Sequence, residues 1–276
     1  MKTRVLTGIA ILIPSVYLIG WSPKWLFLAV LVVLVERGLH EYILIVRQTG
    51  FNILPVVMYV SGAAVCMVRW PDLYDHGILL WVLSWLLLLL IPLWALRRIS
   101  HLEQYLETVS TTLFGIFYVA FTFSCLFPLR FSGMASDLAD GRQIVFFLFA
   151  VICVGDIFAY FTGRALGRKS MSPRISPKKT WEGALGGLVA SVILGWVYAR
   201  CFWRGRNGEI ILLLAFLVAV AGQMGDLVES ALKRGAHLKD SGALLPGHGG
   251  LLDRVDSLLL GAPVLWLALT LRSYIH

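Results

Sequence analysis

Apolar residues in this chain fall in runs of about 17 to 25, each long enough to cross a bilayer as a helix. Hydrocarbon offers no water to backbone N–H and C=O groups, so such runs fold as helices that satisfy their own amides. Hydrophobic residues make up 58% and charged residues 14% of the 276 positions. The connections between runs are too short for a soluble domain. The pattern predicts an all-α polytopic integral membrane protein with about nine transmembrane helices. The spans are expected near Val5 to Trp21, Trp25 to Val46, Ile53 to Val68, Gly77 to Leu96, Val109 to Leu129, Ile144 to Thr162, Gly183 to Trp203, Ile210 to Leu227 and Leu251 to Tyr274. Glu36, Arg37, His40 and Glu41 interrupt the second run, which either spans whole or divides into a span and an interfacial helix. Met1 to Arg4 ahead of an apolar run mimics a secretory signal. Pro14 lies within that run, no A-x-A-like site follows, and eight further runs come after, so it reads as a retained first helix. With no internal repeat, low-complexity tract or long linker, residues 1–276 read as a single integral membrane domain. Within it, 1–140 hold spans with little motif content and 141–276 hold the motif-bearing spans and loops.

The formal net charge is +8, but its cations are spread among short loops and form no basic domain, which argues against nucleic acid and for contact with membrane lipids. With nine spans, the N-terminus and the even-numbered connections share one face and carry fourteen Lys and Arg, against eight on the other. The positive-inside rule then puts the N-terminus in the cytoplasm and the C-terminus outside. Both charge-rich loops, Gly163 to Glu182 and Leu227 to Gly250, face the cytoplasm in that topology. Cys66, Cys125, Cys153 and Cys201 lie in or beside spans without metal-ligand spacing and read as apolar packing residues.

Those two loops hold the chemistry. Asp156 stands inside the sixth span with Tyr160 and Gly163 on the same helical face. A lone carboxylate there costs about 2.5 to 3.5 kcal/mol on insertion scales, so it faces protein or a water-filled cavity, either as a site residue or in a structural ion pair. In the segment ISPKKT, Pro177 biases Ser176 away from helix and holds Lys178 and Lys179 in a short, defined stretch. The lysine pair meets phosphate, or it is only a topology signal. Asp226, Glu229, Ser230 and Lys233 fall at i, i+3, i+4 and i+7, one polar stripe if the eighth span extends as helix. Asp253 and Asp256 lie at i and i+3 at the start of the ninth. A carboxylate at a helix start can simply complement the helix dipole. Carboxylates from two apolar helices, with Lys233, Arg234, Lys239 and Arg254 alongside, look more like a metal and phosphate centre, since magnesium takes hard oxygen ligands. The glycines of GHGG let the backbone bend tightly there. His248 fits several roles: phosphate donor, carboxylate partner, acid or base, or structure.

The stretch Ser230-x-Leu232-Lys233-Arg234, four residues, Lys239-Asp240-x-Gly242, two residues, Leu245-Pro246-x-His248-Gly249-Gly250-Leu251-x-Asp253-Arg254-Val255-Asp256 resembles the full signature of phosphatidate cytidylyltransferases, the CDP-diacylglycerol synthases. ISPKKTWEG and Asp156-x-x-Ala159-Tyr160 are similar to the family's other polar motifs, so the resemblance covers about the last half of the chain. It implies transfer of a cytidylyl group from CTP to phosphatidic acid in phospholipid biosynthesis, with Mg2+ required, K+ as a second cation, a homodimer, and an active site facing the cytoplasm from a bacterial inner membrane. By motif, Asp226, Asp253 and Asp256 are the expected metal ligands. Catalysis is expected from Asp226, Asp253, Lys233, Arg254 and His248. Substrate binding falls to Asp156, Ser176, Lys178, Lys179, Ser230, Arg234, Lys239, Gly249 and Gly250.

Two other classes share part of this pattern. A CTP-dependent lipid kinase would use nucleotide and metal but move the γ-phosphoryl group. An anionic-lipid transporter would place charge within spans, yet it accounts poorly for carboxylates and cations concentrated in two same-side loops, and no paired Gly/Pro-broken segments suggest an inverted repeat. The D-G-x-x-A-R pattern of CDP-alcohol phosphotransferases is absent.

Overall fold

The computed structural model describes residues 12–70, 78–99, 101–133, 139–203, 208–242 and 249–275. Residues 12–20 are helical. Longer helices follow as α1 (Lys24–Gln48), α2 (Pro55–Val68), α3 (Ile78–Arg98), α4 (Leu102–Phe131), α5 (Gly141–Leu166), α6 (Trp181–Phe202), α7 (Gly208–Gly235) and α8 (Leu252–Ile275). A two-stranded antiparallel hairpin, β1 (Ser170–Ser172) and β2 (Ser176–Thr180), joins α5 to α6.

Six helices, α3 to α8, are long and apolar enough to cross a membrane, which is the expected class. The expected count of nine is not reached on length and composition among the described residues. Helix α1 carries Lys24, Glu36, Arg37, Glu41 and Arg47 along its length. Helix α2 has 14 residues, a rise of about 21 Å against a hydrocarbon core of about 30 Å. The first run lies partly outside the described residues. Helix α1 also passes unbroken through Glu36, Arg37, His40 and Glu41, so it does not divide. Two of its polar side chains are met by protein groups: His40 Nδ1 lies 2.9 Å from Tyr59 Oη, and the fully buried Glu41 pairs with Arg37 at 3.4 Å.

Local chemistry sets the helix starts. Asp140 caps α5 by accepting from Arg142 N at 3.1 Å, while the Gln143 side chain accepts from Asp140 N at 3.3 Å, a reciprocal capping box. Thr180 closes the hairpin and caps α6, its hydroxyl accepting from Gly183 N at 3.1 Å. Within α4 the turn widens to π geometry over Ile116–Phe121.

By packing, the chain forms two compact units, Met1–Pro128 with Leu232–Arg254, and Leu129–Ala231 with Val255–His276. In the first, Val35, Leu39, Tyr42, Met58, Val65 and Ile116 make a core between α1, α2 and α4. In the second, α5 and α6 approach closely along small residues. A Cβ on Gly187 would stand 2.6 Å from Gly155 O, and Ser191 Oγ donates to Val151 O at 2.8 Å across the same seam. Cys66 and Cys125 are buried as expected of packing residues, whereas Cys153 and Cys201 lie on uncovered faces of α5 and α6.

Candidate active site

Each unit contains a polar centre. In the second unit, α7 continues as helix beyond its apolar run, so Asp226, Glu229 and Ser230 share a face, and Ser230 Oγ donates to Asp226 Oδ1 at 3.4 Å. Pro177 keeps Ser176 extended at the start of β2. Successive strand residues point to opposite faces, which separates exposed Lys178 from Lys179. Lys179 Nζ reaches Asp226 Oδ2 at 2.5 Å, with both side chains about 30% exposed. Asp156, Asp226 and Glu229 all lie near enough to Asp256 to repel its charge, and Lys179 offsets part of the negative potential at Asp156. A Cβ on Gly225 would stand 2.5 Å from Asp256 O, so α7 and α8 cross tightly beside these two aspartates.

In the first unit, α7 ends in a Schellman turn: Leu238 N donates to Lys233 O at 2.8 Å, His237 N donates to Arg234 O at 3.0 Å, and His237 takes φ 57° where glycine is usual. This turn returns the chain toward Asp253. Lys233 Nζ donates to Asp253 Oδ1 at 2.5 Å, while Asp253 Oδ2 accepts from Ser241 N at 2.8 Å, Ser241 Oγ at 3.0 Å and Gly250 N at 2.8 Å. Gly249 has φ 77°, and a Cβ there would stand 2.5 Å from Asp253 Oδ2, so both its conformation and its space require glycine. Asp253 is therefore the hub of the loop, with donors on both oxygens.

The remaining predicted residues are placed as follows. Arg234 Nη1 donates to Leu238 O at 3.0 Å on an exposed surface, and Lys239 and Arg254 are also exposed. Gly250 is buried. His248 lies outside the described residues. Among the described residues no group of three or more His, Cys, Asp or Glu side chains is arranged to hold a metal. Magnesium usually takes only one or two carboxylates and completes its shell with phosphates and water. The acid-rich set around Asp226 and Asp256 fits that donor chemistry.

Three residues escaped sequence reasoning. Glu182 Oε2 accepts from Arg168 N at 3.1 Å and Lys169 N at 3.4 Å, tying the loop before the hairpin to α6. Ser241 bonds Asp253, and Glu41 of α1 bonds Ser241 Oγ at 2.9 Å. The one available signal for Glu41 was a carboxylate inside an apolar helix.

Comparison with known proteins decides the family. The sequence profile of the Cytidylyltransferase family matches residues 2–272. The chain belongs to that family. Among relatives of this cytidylyltransferase-family chain, a phosphatidate cytidylyltransferase of Mycobacterium bovis is 30% identical over 287 residues, covering 98% of this chain and 89% of the relative. One from Staphylococcus haemolyticus is 31% identical over 272 residues, covering 96% and 97%. One from Brucella abortus biovar 1 is 46% identical over 153 residues, covering 55% of this chain and 54% of the relative, so that match spans about half of each protein. The cytidylyltransferase family match thus extends over the first five helical runs, where sequence motifs are sparse.

Proposed function

We propose that the protein transfers the cytidylyl group of CTP to phosphatidic acid, giving CDP-diacylglycerol and pyrophosphate. The observation that carries this reading is the Lys179–Asp226 pair standing among further carboxylates in a chain of the cytidylyltransferase family. An ammonium and an acidic cluster side by side suit a phosphate chain neutralised by both lysine and a divalent cation.

A phosphate oxygen of phosphatidic acid attacks the α-phosphorus of CTP, and the bond from that phosphorus to the oxygen bridging the β-phosphorus breaks. The electron pair leaves with pyrophosphate. The nucleophile is already an anion at neutral pH, so the obstacle is repulsion between two anions rather than removal of a proton. Lys179 and Lys178 are assigned to the phosphates, with Ser176 at the start of their strand, and Arg234, Lys239 and Arg254 supply exposed positive charge. Asp226 and Asp256 would hold Mg2+, with Asp156 beside them. When bound, the ion would neutralise phosphate charge and stabilise the leaving pyrophosphate. Asp253 completes the expected metal set through Oδ1, with Lys233 beside it to meet phosphate. K+ as a second cation, a homodimer, and a cytoplasm-facing site in a bacterial inner membrane belong to the same reading.

Purified protein given Mg2+, CTP and phosphatidic acid is expected to form CDP-diacylglycerol and pyrophosphate in equal amounts. Label on the α-phosphate of CTP should enter lipid and label on the γ-phosphate should leave as pyrophosphate. Appearance of γ-label in lipid would assign a kinase instead.

A further inference from the structure

The helix that carries Asp253 begins at Leu252 without a local cap. The preceding residues are Gly249, Gly250 and Leu251, none of which has a side-chain acceptor. Its first amides are nevertheless satisfied, from two places far away in sequence. Leu251 N donates to Glu41 Oε1 and Leu252 N to Glu41 Oε2, each at 2.9 Å. Asp253 N approaches Ser241 Oγ at 3.4 Å, and Ser241 Oγ in turn donates to Glu41 Oε2 at 2.9 Å. Gly250 N goes to Asp253 Oδ2.

Glu41 is fully buried, and its charge is balanced by Arg37 Nη2 at 3.4 Å from Oε1 and by the positive end of the helix it caps. The neighbouring glycines make room for it. A Cβ on Gly242 would stand 3.1 Å from Glu41 Oε1, and one on Gly250 would overlap both Ser241 Oγ and Glu41 Oε2. A neutral polar residue in this place could accept at one oxygen only, leaving at least one of these donors facing a donor.

We propose that Glu41 is a positioning residue for the transfer: supplied by α1, it caps α8 and thereby sets the stand of Asp253 and the Gly249–Gly250 turn. The proposal rests on the cytidylyl-transfer reading for its kinetic consequence, whereas the capping itself is independent of it. Glu41 touches no substrate. It acts through the four consecutive amides Gly250 to Asp253, which it and Ser241 fix together with Asp253.

The test uses the full chain, purified in detergent with lipid, as wild type, Glu41→Gln and Glu41→Asp. A misplacement of about 1 Å at reacting groups can cost about 100-fold in rate. Glu41→Gln is accordingly expected to lower kcat by about that factor with KM for CTP little changed. Amide hydrogen exchange should accelerate at Gly250 to Asp253 and stay as in wild type in α5 and α6. Glu41→Asp keeps the charge with a shorter reach and should recover part of kcat and of the protection. Should Glu41→Gln not purify, the same two readouts on Glu41→Asp decide. Unchanged kcat and unchanged exchange in the variants would overturn the proposal. So would faster exchange spread through the whole chain with Glu41→Asp no better than Glu41→Gln, since that marks a general packing role. If wild type forms no CDP-diacylglycerol, the functional reading fails, and the exchange pattern alone still judges the cap.

Discussion

Replacing Asp253 by Asn probes whether this residue builds the loop. Asp253 has four groups within hydrogen-bond reach: Lys233 Nζ on Oδ1, and Ser241 N, Gly250 N and Ser241 Oγ on Oδ2, the hydroxyl sharing its one proton between Asp253 and Glu41. Asn has a single acceptor oxygen and sets an NH2 in place of the other. If the oxygen keeps the Oδ2 donors, the NH2 faces the Lys233 ammonium. If the side chain flips, it faces three donors at once. The first arrangement is the less costly, and it removes the Asp253 charge from beside Lys233, which is only 9% exposed. Breaking a buried pair by removing one partner costs about 3–5 kcal/mol. At about 1.4 kcal/mol per tenfold, local opening becomes more frequent by roughly two to three and a half orders of magnitude. Hydrogen exchange at Ser241 and Gly250 in purified protein reads this directly, alongside a lowered thermal midpoint. Adding Lys233→Met removes the other half of the pair, so the double variant should be more stable than the sum of the two single losses by well over ~1 kcal/mol. Unchanged exchange in Asp253→Asn, or strict additivity in the double variant, would refute the reasoning.

Asp226→Asn should behave in the opposite way: its pair with Lys179 is about 30% exposed on both sides, worth about 0.2–1 kcal/mol, so the midpoint moves little while CDP-diacylglycerol formation falls at least about 100-fold. Strong unfolding with retained turnover would exchange the roles of the two aspartates. Mg2+ at about 100 times its Kd should stabilise wild type by about 2.7 kcal/mol, read as a thermal shift that Asp226→Asn and Asp256→Asn lose. Persistence of the full shift in both variants would remove them from the ligand set. For topology, cysteines placed at Ser172 and Arg206 should be labelled from opposite sides of the membrane, and same-side labelling would reject the orientation.

Helical class was legible because run length and hydropathy dictate it, and so was the extension of α7, since Asp226, Glu229 and Ser230 fall on one helical face. Pro177 marked Ser176 as non-helical, but the hairpin that Ser176 to Thr180 form with Ser170 to Ser172 was not legible. Span number was less legible. Length and composition mark α3 to α8 as long and apolar enough to cross, whereas α1 carries charge along its length, with Glu41 buried, and α2 has 14 residues. The site divided in the same way. Sequence spacing brings Asp226 and Ser230 together within one helix, but the meeting of Lys179 with Asp226 or of Glu41 with Leu251 joins segments 47 and 210 residues apart, and no local period encodes that. Asp253 carried a further ambiguity: a carboxylate at a helix start is equally suited to a metal and to amides, and only its donors distinguish the two.

Donor supply separates the carboxylates of this chain into two kinds. Glu41 and Asp253 are met on both oxygens by amides, hydroxyls and a cation from the chain itself, so their charge is used up in holding the loop. Asp156, Asp226 and Asp256 stand near one another and repel, with Lys179 as a described counter-charge to Asp226. Like charges gathered in a low-dielectric region raise the energy of the fold, and a cation placed among them would lower it. Asp253 is thus already engaged in building the loop, whereas Asp226 and Asp256 stand among other carboxylates of their unit, and the same residue type serves two different local environments.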